Sequence, residues 1–455
     1  MTDNFDKNEM TLGRGRKFHI STFGCQMNVH DSEKLNGVLL SLGYKEAKSE
    51  EDANLVIFNT CCVRENAENR LYGQLGELKK YKRGKKDFKI ALCGCMMQTE
   101  AAVEKIKSSY PYVDIIFGTY NLHRFARLLE ASYASKGMII DIWKERGEGD
   151  WEDELPVKRQ FPFKAGVNIM YGCNNFCAYC IVPYVRGRER SREPQFILDE
   201  IKKLANDGVK EILLLGQNVN SYGVGLSSPM SFAQLLEKVS EIDNIERIRF
   251  MTSHPKDLSD ELIAQIKNNP KVCKHLHLPV QAGSNNVLRA MNRKYSQEDY
   301  LALVDKLRRS IPDIALTTDI IVGFPGETES DFEASLEIVE KCRFRGAFTF
   351  YYSKRSGTPA ANFAGQVPEE VMRARFDRLL NLLNPIVYSL NTAQEGKTVN
   401  VLFEGIENGV LTGRADDNSL VHCRAENAES LIGLIKPVAI TEGKPFYLLG
   451  NILDS

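Results

Sequence analysis

Residues 167–180 read VNIMYGCNNFCAYC, a short apolar run followed by three cysteines. The apolar run predicts a β-strand, and five further strand candidates follow it along the chain: EILLLG, RIRFMT, HLHLPV, ALTTDIIVGF and AFTFYY. Each strand candidate except the last precedes a helical pattern. This alternation predicts a partial (β/α)6 barrel of the TIM type, in which functional groups lie at the C-terminal ends of the strands.

Smaller domains are predicted on both sides of this barrel. Before it, the apolar runs FHISTFG, NLVIFNT, KIALCGC and VDIIFGT alternate with helical patterns, which indicates an N-terminal parallel α/β domain. After it, short strand candidates separated by turn residues indicate a small OB-like β-barrel. The predicted boundaries are 16–135 for the first domain, 136–160 for a charged linker, 161–388 for the (β/α)6 barrel and 391–454 for the β-barrel.

The composition restricts the class of protein. The chain has 455 residues, eleven cysteines and a net charge of -1. No apolar stretch approaches the roughly 18 to 20 residues that cross a bilayer, and the polar N-terminus carries no secretion signal. We therefore expect a cytoplasmic protein without membrane contact, whose cysteines are thiols, metal ligands or catalytic groups. The net charge excludes a globally polycationic nucleic-acid binder, so RNA contact would need local patches.

The spacing of Cys173, Cys177 and Cys180 indicates an iron-sulfur cluster. Three thiolates fill three iron sites of a four-iron cluster and leave the fourth iron open to another ligand. The alternative is a structural zinc site, which normally needs four ligands, and the neighbouring sequence contains no fourth Cys or His.

Three other cysteines, Cys25, Cys61 and Cys95, each follow a strand candidate of the N-terminal domain. The ends of parallel strands meet at one edge of a sheet, so these thiols can converge there and hold a second cluster. The alternative is that they are small core residues, as free cysteines often are. We expect that packing role for Cys273, Cys342 and Cys423.

The pattern Cys-x3-Cys-x-aromatic-Cys, with Tyr179 at the aromatic position, resembles the motif of radical S-adenosylmethionine (SAM) enzymes. The segments FGCQMNVHDS, NTCCVRE and CGCMMQ resemble the N-terminal domain of methylthiotransferases. In that family a radical SAM barrel and a C-terminal TRAM domain follow, so the resemblance extends from Lys17 to Leu453.

The resemblance implies two 4Fe-4S clusters and SAM as cofactors. The metal ligands are then Cys173, Cys177 and Cys180, which also carry the catalytic centre, and Cys25, Cys61 and Cys95. Cys61 is chosen over Cys62 because it follows Asn59-Thr60, and Cys95 over Cys93 because it follows Gly94. Cys62 would replace Cys61 only if the turn were rotated.

Other residues of the barrel match SAM-contacting segments of the family. We expect SAM contacts from Tyr179, Gln217, Ser253, Gln281 and Asp319, although each of these side chains could instead serve a turn, a helix cap or the core. Four alternating arginines after Cys180 suggest a phosphate-binding patch for an anticodon loop: Arg186, Arg188, Arg190 and Arg192. The alternative for these is a solvated charged turn.

The segments GCQMN and VPYVRG resemble the branch of the family that acts on N6-isopentenyladenosine beside the tRNA anticodon and forms its 2-methylthio derivative. The resemblance implies that one SAM methylates a cluster sulfur and a second yields a 5′-deoxyadenosyl radical that activates adenine C2. Sister branches act on threonylcarbamoyladenosine or on an aspartate of a ribosomal protein. A non-enzymatic iron-sulfur RNA-binding regulator is the alternative of a different class.

The chemistry also implies partners. We expect tRNA, a flavodoxin- or ferredoxin-like reductant and iron-sulfur assembly factors to bind a monomeric protein. The C-terminal barrel has five Lys and Arg against nine Asp and Glu between Glu395 and Asp454. RNA contact there would therefore depend on shape, stacking and a few placed cations.

Overall fold

The computed structural model describes residues 12–62, 65–144 and 155–453. They divide into two compact units after Gln160, but the segment Cys180–Arg188 belongs to the first unit. In this respect the structure departs from the contiguous 161–388 barrel that we predicted. The reason is apolar packing, because Ile181 and Val185 are buried in the hydrophobic core of the first unit.

Six parallel strands form one sheet in the first unit, in the order β2-β1-β3-β4-β5-β6. They are β1 (Lys17–Thr22), β2 (Lys45–Glu46), β3 (Leu55–Thr60), β4 (Lys89–Gly94), β5 (Ile115–Phe117) and β6 (Ile139–Asp141). From β1 the chain first adds β2 on one side and then β3 on the other. The sheet therefore has a topological switch point between β1 and β3, which is where ligand sites form in open α/β sheets.

Helices cover both faces of this sheet. They are α1 (Gln26–Ser41), α2 (Glu65–Gly84), α3 (Glu100–Ser109) and α4 (Phe125–Ala134), and the short α5 (Val182–Val185) packs with them. Alternate residues of β3 point into two separate cores: Val56 and Phe58 pack with α2 and α3, and Leu55 and Ile57 with α1 and α4. Burial on both faces explains why LVIFNT is apolar almost throughout.

The second unit contains six parallel strands in two three-stranded sheets, β11-β10-β7 and β12-β13-β14. An isolated parallel bridge also pairs Ile248 of β11 with Val272, which precedes β12. A small antiparallel pair, β8-β9, accompanies them. The strands are β7 (Lys164–Asn168), β8 (Met170–Tyr171), β9 (Arg190–Ser191), β10 (Glu211–Leu215), β11 (Arg247–Phe250), β12 (His275–His277), β13 (Ala315–Val322) and β14 (Gly346–Tyr351). The predicted partial barrel is confirmed.

The helices of this unit pack outside the six strands. They are α6 (Pro194–Asn206), α7 (Phe232–Ser240), α8 (Asp260–Asn268), α9 (Asn285–Ala290), α10 (Gln297–Ser310), α11 (Glu329–Cys342) and α12 (Glu369–Thr392). The sequence shows no clear helical pattern after the last strand candidate, but in the structure α12 follows β14 and packs against α11. It ends at Thr392, so the predicted barrel end at residue 388 falls inside this helix.

The C-terminal residues form a closed five-stranded barrel, as predicted, in the order β15-β16-β17-β19-β18. Its elements are β15 (Thr398–Glu407), β16 (Val410–Ala415), β17 (Leu420–Cys423), α13 (Ala428–Leu431), β18 (Ile435–Gly443) and β19 (Leu448–Ile452). Among the described residues, no helix combines the length and the apolar character needed to cross a membrane.

Candidate active site

The three N-terminal cysteines lie at one edge of the first sheet. Cys25 follows β1, Cys61 follows β3 and Cys95 follows β4, and these three strands are direct neighbours. In the parallel register Thr60 of β3 pairs with Gly94 of β4, so both strands end at the same level. Cys25 is exposed, whereas Cys61 and Cys95 are buried. The strand topology therefore brings together thiols that are far apart in sequence.

A glycine precedes two of these cysteines because the backbones approach closely. At Gly24, which has a φ of +147°, an added Cβ would lie 2.9 Å from the Cβ of Cys61. At Gly94, with a φ of +94°, it would lie 2.3 Å from the carbonyl oxygen of Thr60. Any larger residue would push the strand ends apart. The Gly-Cys pairs in the sequence thus reflect the close packing of this edge.

Buried amides fix the same edge. Asn28 Nδ2 donates to Asn59 Oδ1 at 2.9 Å and to the Thr60 carbonyl at 3.2 Å, and Asn59 Nδ2 donates to the Asn28 carbonyl at 2.8 Å. The Cys25 thiol donates to Asn28 Oδ1 at 3.4 Å. This network connects the start of α1 to the end of β3 and positions Cys25 and Cys61.

Cys95 lies in a positively charged environment. Arg186 Nε donates to Cys95 Sγ at 3.0 Å. A hydrogen bond from the Cys62 thiol, reinforced by the Arg186 guanidinium, lowers the pKa of Cys95 to about 6 against the opposing effect of burial. The pKa of Cys62 rises in return, and burial raises the pKa of Cys93. The Cys62 thiol and the Arg186 guanidinium thus favour the thiolate form of Cys95, which is the form that binds metal.

The donor chemistry at this edge suits an iron-sulfur cluster, since three cysteines, which are soft sulfur ligands, follow the ends of neighbouring strands. In the described residues, no group of three or more Cys, His, Asp or Glu side chains is placed to hold a single metal ion. A four-iron cluster is larger than an ion and keeps its thiolates further apart. The fit therefore rests on the three thiols at the ends of neighbouring strands.

The other cysteine motif follows β8. Phe176, between Cys173 and Cys177, has a φ of 48°, which is strained for an aromatic residue. Asn292 Nδ2 donates to the Phe176 carbonyl at 2.9 Å, and Arg293 Nη1 donates to Cys177 Sγ at 3.3 Å. The second unit thus holds this turn through a buried arginine and an amide.

Buried polar atoms without a protein partner lie at the C-terminal ends of the barrel strands. Among the described residues they include both amide atoms of Asn168, the last residue of β7, Oδ1 of Asn218 after β10 and Oγ of Ser253 after β11. An unpaired buried polar group costs about 1–3 kcal/mol. Thr252, beside Ser253, also has an unfavourable φ of 71°. Unpaired donors and backbone strain at these strand ends suit a polar ligand such as SAM.

Comparisons with known proteins establish the family. The chain matches the radical SAM superfamily at residues 167–339, the uncharacterized protein family UPF0004 at 17–118 and the TRAM domain at 392–453. It is 54% identical to the tRNA-2-methylthio-N(6)-dimethylallyladenosine synthase of Lachnoclostridium phytofermentans over 97% of both chains. It is 53% identical to that of Alkaliphilus oremlandii over 97% of this chain and 94% of that protein. The chain belongs to this synthase family.

A solved structure supports the fold assigned to this protein. The radical S-adenosylmethionine methyltransferase TsrM from Kitasatospora setae, solved with cobalamin and a 4Fe-4S cluster, has a TM-score of 0.54. The two chains are 14% identical, and the match covers 76% of this chain and 74% of TsrM. At this identity the likeness concerns the fold alone.

In this protein, the five side chains that were predicted to contact SAM lie in different environments. Gln217 and Ser253 follow strands β10 and β11, and Gln281, with a φ of 71°, exchanges backbone hydrogen bonds with β13. Tyr179 packs on an apolar cluster of the second unit. Asp319 lies within β13, where its Oδ1 is 3.4 Å from His277 Nε2. Their contacts with SAM remain a prediction.

The prediction that four arginines form a phosphate-binding patch needs correction. Arg186 and Arg192 are buried, and Arg192 Nη1 donates to the Asn168 carbonyl and to Glu200 Oε2 at 2.5 and 2.8 Å. Neither guanidinium is available for an RNA phosphate. Arg188 is exposed, and Arg190 lies 6.0 Å from the ring centre of Tyr171 and is half-buried. Only these two of the four arginines therefore stay as candidate RNA contacts.

Sequence reasoning missed Asn168, Asn218 and Arg293. Asn168 is the second residue of the apolar run VNIM, where nothing in the sequence distinguishes it from an ordinary strand residue. Asn218 follows the Gly216-Gln217 step, so a polar residue after a strand was the available signal for it. Arg293 belongs to the segment MNRKY, which has no pattern that indicates contact with Cys177.

Proposed function

We propose that this chain is a tRNA methylthiotransferase that converts N6-isopentenyladenosine beside the anticodon to its 2-methylthio derivative. The observation that carries the proposal is the 54% identity to a tRNA-2-methylthio-N(6)-dimethylallyladenosine synthase over 97% of both chains. The thiols at the edge of the first sheet and the cysteine motif after β8 support it independently.

The proposal includes two 4Fe-4S clusters and SAM. When bound, a reduced cluster would supply the electron for the reductive cleavage of SAM, and the group as a whole would supply a sulfur atom and a methyl group for transfer. Cys173, Cys177 and Cys180 would hold one cluster, and Cys25, Cys61 and Cys95 the other. The Arg293 and Asn292 hydrogen bonds keep the Cys173–Cys177 turn in its strained conformation.

The protein's own groups at the barrel strand ends would orient SAM and exclude water. Asn168, Asn218 and Ser253 offer buried donors and acceptors that lack protein partners. A polar ligand that satisfies them gains hydrogen bonds without breaking any within the protein. Tyr179, Gln217, Gln281 and Asp319 complete the proposed set of SAM contacts.

For tRNA, we propose Arg188 and Arg190 as phosphate contacts, together with the C-terminal barrel. Exposed aromatic rings can stack on unpaired bases, and Phe446 between β18 and β19 is 76% exposed. The acidic excess of this barrel predicts a weak salt dependence of its RNA binding. A flavodoxin- or ferredoxin-like reductant, iron-sulfur assembly factors, a monomeric state and a cytoplasmic location belong to the same proposal.

The test is anaerobic reconstitution of the wild type and of a Cys173→Ala/Cys177→Ala/Cys180→Ala variant. We expect about eight irons per chain in the wild type and about four in the variant, as expected for two four-iron clusters. With reductant, SAM and isopentenylated tRNA, only the wild type should form the 2-methylthio product.

Substrate choice needs parallel assays with threonylcarbamoylated tRNA and with ribosomal protein. Product on either of these, and none on isopentenylated tRNA, would assign the chain to a sister activity. Iron incorporation and RNA binding without SAM cleavage would instead support a non-enzymatic regulator.

A further inference from the structure

Arg186 lies in an unusual environment for an arginine. Its side chain is only 7% exposed, its Nε donates to Cys95 Sγ at 3.0 Å, and its Nη2 is 3.4 Å from Asp31 Oδ2. Burial of an unpaired guanidinium would be strongly unfavourable. The two anionic partners offset this cost, and all three residues belong to the first unit.

We propose that Arg186 is a positioning residue of the N-terminal thiol site, which holds the Cys95 sulfur at the sheet edge and raises the reduction potential of the cluster bound there. The proposal rests on the proposed function in one respect, since it requires a cluster at Cys25, Cys61 and Cys95. It assigns Arg186 a role other than the RNA contact predicted from the sequence.

The physical reason is the charge of the reduced state. Reduction adds one electron to the cluster, and a cationic N–H donor beside a ligand sulfur stabilises the added negative charge. Asp31 acts in the opposite sense, because its carboxylate compensates part of the guanidinium charge. Removal of Arg186 and removal of Asp31 should therefore shift the reduction potential in opposite directions.

The fold keeps Arg186 in place through its own segment. Arg186 lies in the segment Cys180–Arg188, and Ile181 and Val185 of this segment are buried in the core of the first unit. The Arg186 backbone N–H donates to the Val182 carbonyl at 2.8 Å. Six residues span at most about 20 Å even when fully extended. Cys180 thus lies within that distance of Arg186, the arginine that donates to Cys95 Sγ.

The experiment uses the full-length chain with Cys173→Ala and Cys177→Ala, so that the N-terminal cluster is observed alone and Cys180 keeps the segment intact. Arg186→Gln, Arg186→Lys and Asp31→Asn are introduced on this parent. Arg188→Gln is the matched control, because it removes an exposed arginine from the same segment. After anaerobic reconstitution, iron content and an EPR-monitored redox titration are measured for each.

We expect Arg186→Gln to lower the ratio of reduced to oxidised cluster about tenfold at a fixed potential, which is about 59 mV for one electron. Asp31→Asn should raise the ratio, Arg186→Lys should restore part of it, and Arg188→Gln should match the parent. If Arg186 were only structural, its substitution would change the iron content, but Arg186→Gln and Asp31→Asn would not shift the reduction potential in opposite directions.

The outcomes separate this proposal from the proposed function. If the parent binds about four irons and Arg186→Gln keeps its potential, the role of Arg186 is refuted while the two-cluster assignment stands. If the parent binds no iron, the two-cluster assignment fails and this proposal falls with it. If Arg186→Gln does not fold, Asp31→Asn decides, because an unchanged or lowered potential there contradicts the charge argument.

Discussion

Arg249 Nε lies 3.0 Å from Glu211 Oε2, and both side chains are buried where the barrel meets the C-terminal β-barrel. Arg249 Nη2 also donates to the Ala415 carbonyl at 2.6 Å, and Arg247 Nη2 to the Asn400 carbonyl at 2.7 Å. Glu211 thus compensates the charge of arginines that connect the two barrels. Burial alone would raise the pKa of Glu211, but Arg249, Lys164 and Arg247 hold it below its usual value.

Glu211→Gln should destabilise the protein by about 3–5 kcal/mol, because it leaves buried cations without their counter-charge. Urea unfolding followed by circular dichroism measures the loss. Glu246→Gln is the matched control, since Glu246 pairs with Lys210 at 3.4 Å on the surface and should contribute under about 1 kcal/mol. Equal midpoints for the two variants would contradict the proposed role of Glu211.

The burial of His275 should make the protein less stable in mild acid. Burial, together with Arg249, His277 and Arg414, lowers the pKa of His275 to about 3. The folded state therefore keeps this ring neutral, whereas the unfolded chain protonates below about pH 6.5. The free energy of unfolding should be nearly unaffected at pH 7 and about 2 kcal/mol lower at pH 5 through this group.

The measurement compares urea unfolding of the wild type and His275→Gln at both pH values. His275 Nε2 is 3.0 Å from Thr317 Oγ1, so the substitution lowers stability at pH 7 but should reduce the acid-induced loss. A variant whose stability falls as steeply with pH as that of the wild type would show that another group titrates.

The strand ends could be predicted from sequence because they depend on local periodicity and on parallel topology. Those two properties predict that Cys25, Cys61 and Cys95 lie at one edge of the sheet. Helix α12 was missed because a long irregular connection separates it from β14 and Pro385 interrupts its pattern. Periodicity therefore predicts a helix or strand well only where its apolar residues recur at regular intervals and no proline interrupts them.

The partner of Arg186 could not be predicted. Arg186 and Cys95 are 91 residues apart, and the alternating arginines around Arg186 resemble a surface patch. The segment that contains Arg186 belongs to the first unit only because Ile181 and Val185 are buried in its core. The orphan amide of Asn168 was equally invisible, because a missing partner is a property of the whole surrounding structure.

Gly94→Ala should remove the N-terminal cluster and leave the other. A methyl group there would lie 2.3 Å from the Thr60 carbonyl oxygen, at a φ of +94°, so the backbone before Cys95 must shift. We expect the iron content to fall from about eight to about four per chain. Gly73→Ala is the control, because its methyl group meets nothing within 4 Å inside helix α2. It should keep all iron and gain about 0.5–1 kcal/mol of stability; iron loss in both variants would contradict the steric argument.

Ser253→Ala should weaken SAM binding without harming the ligand-free protein. Ser253 Oγ is buried and has no hydrogen-bond partner, so its removal eliminates an unsatisfied group and leaves the stability of the ligand-free protein equal or higher. A lost hydrogen bond to SAM should cost about 0.5–1.5 kcal/mol of affinity, measured by calorimetry on reconstituted protein.

Ser231→Ala is the matched control with the opposite expectation. Ser231 caps helix α7 by accepting the Gln234 N–H at 3.2 Å, so its loss should cost about 1 kcal/mol of stability and leave the SAM affinity unchanged. The two serines therefore separate a hydroxyl kept for a ligand from one kept for the fold. If Ser253→Ala loses stability and binds SAM normally, the unpaired hydroxyl does not belong to the SAM site.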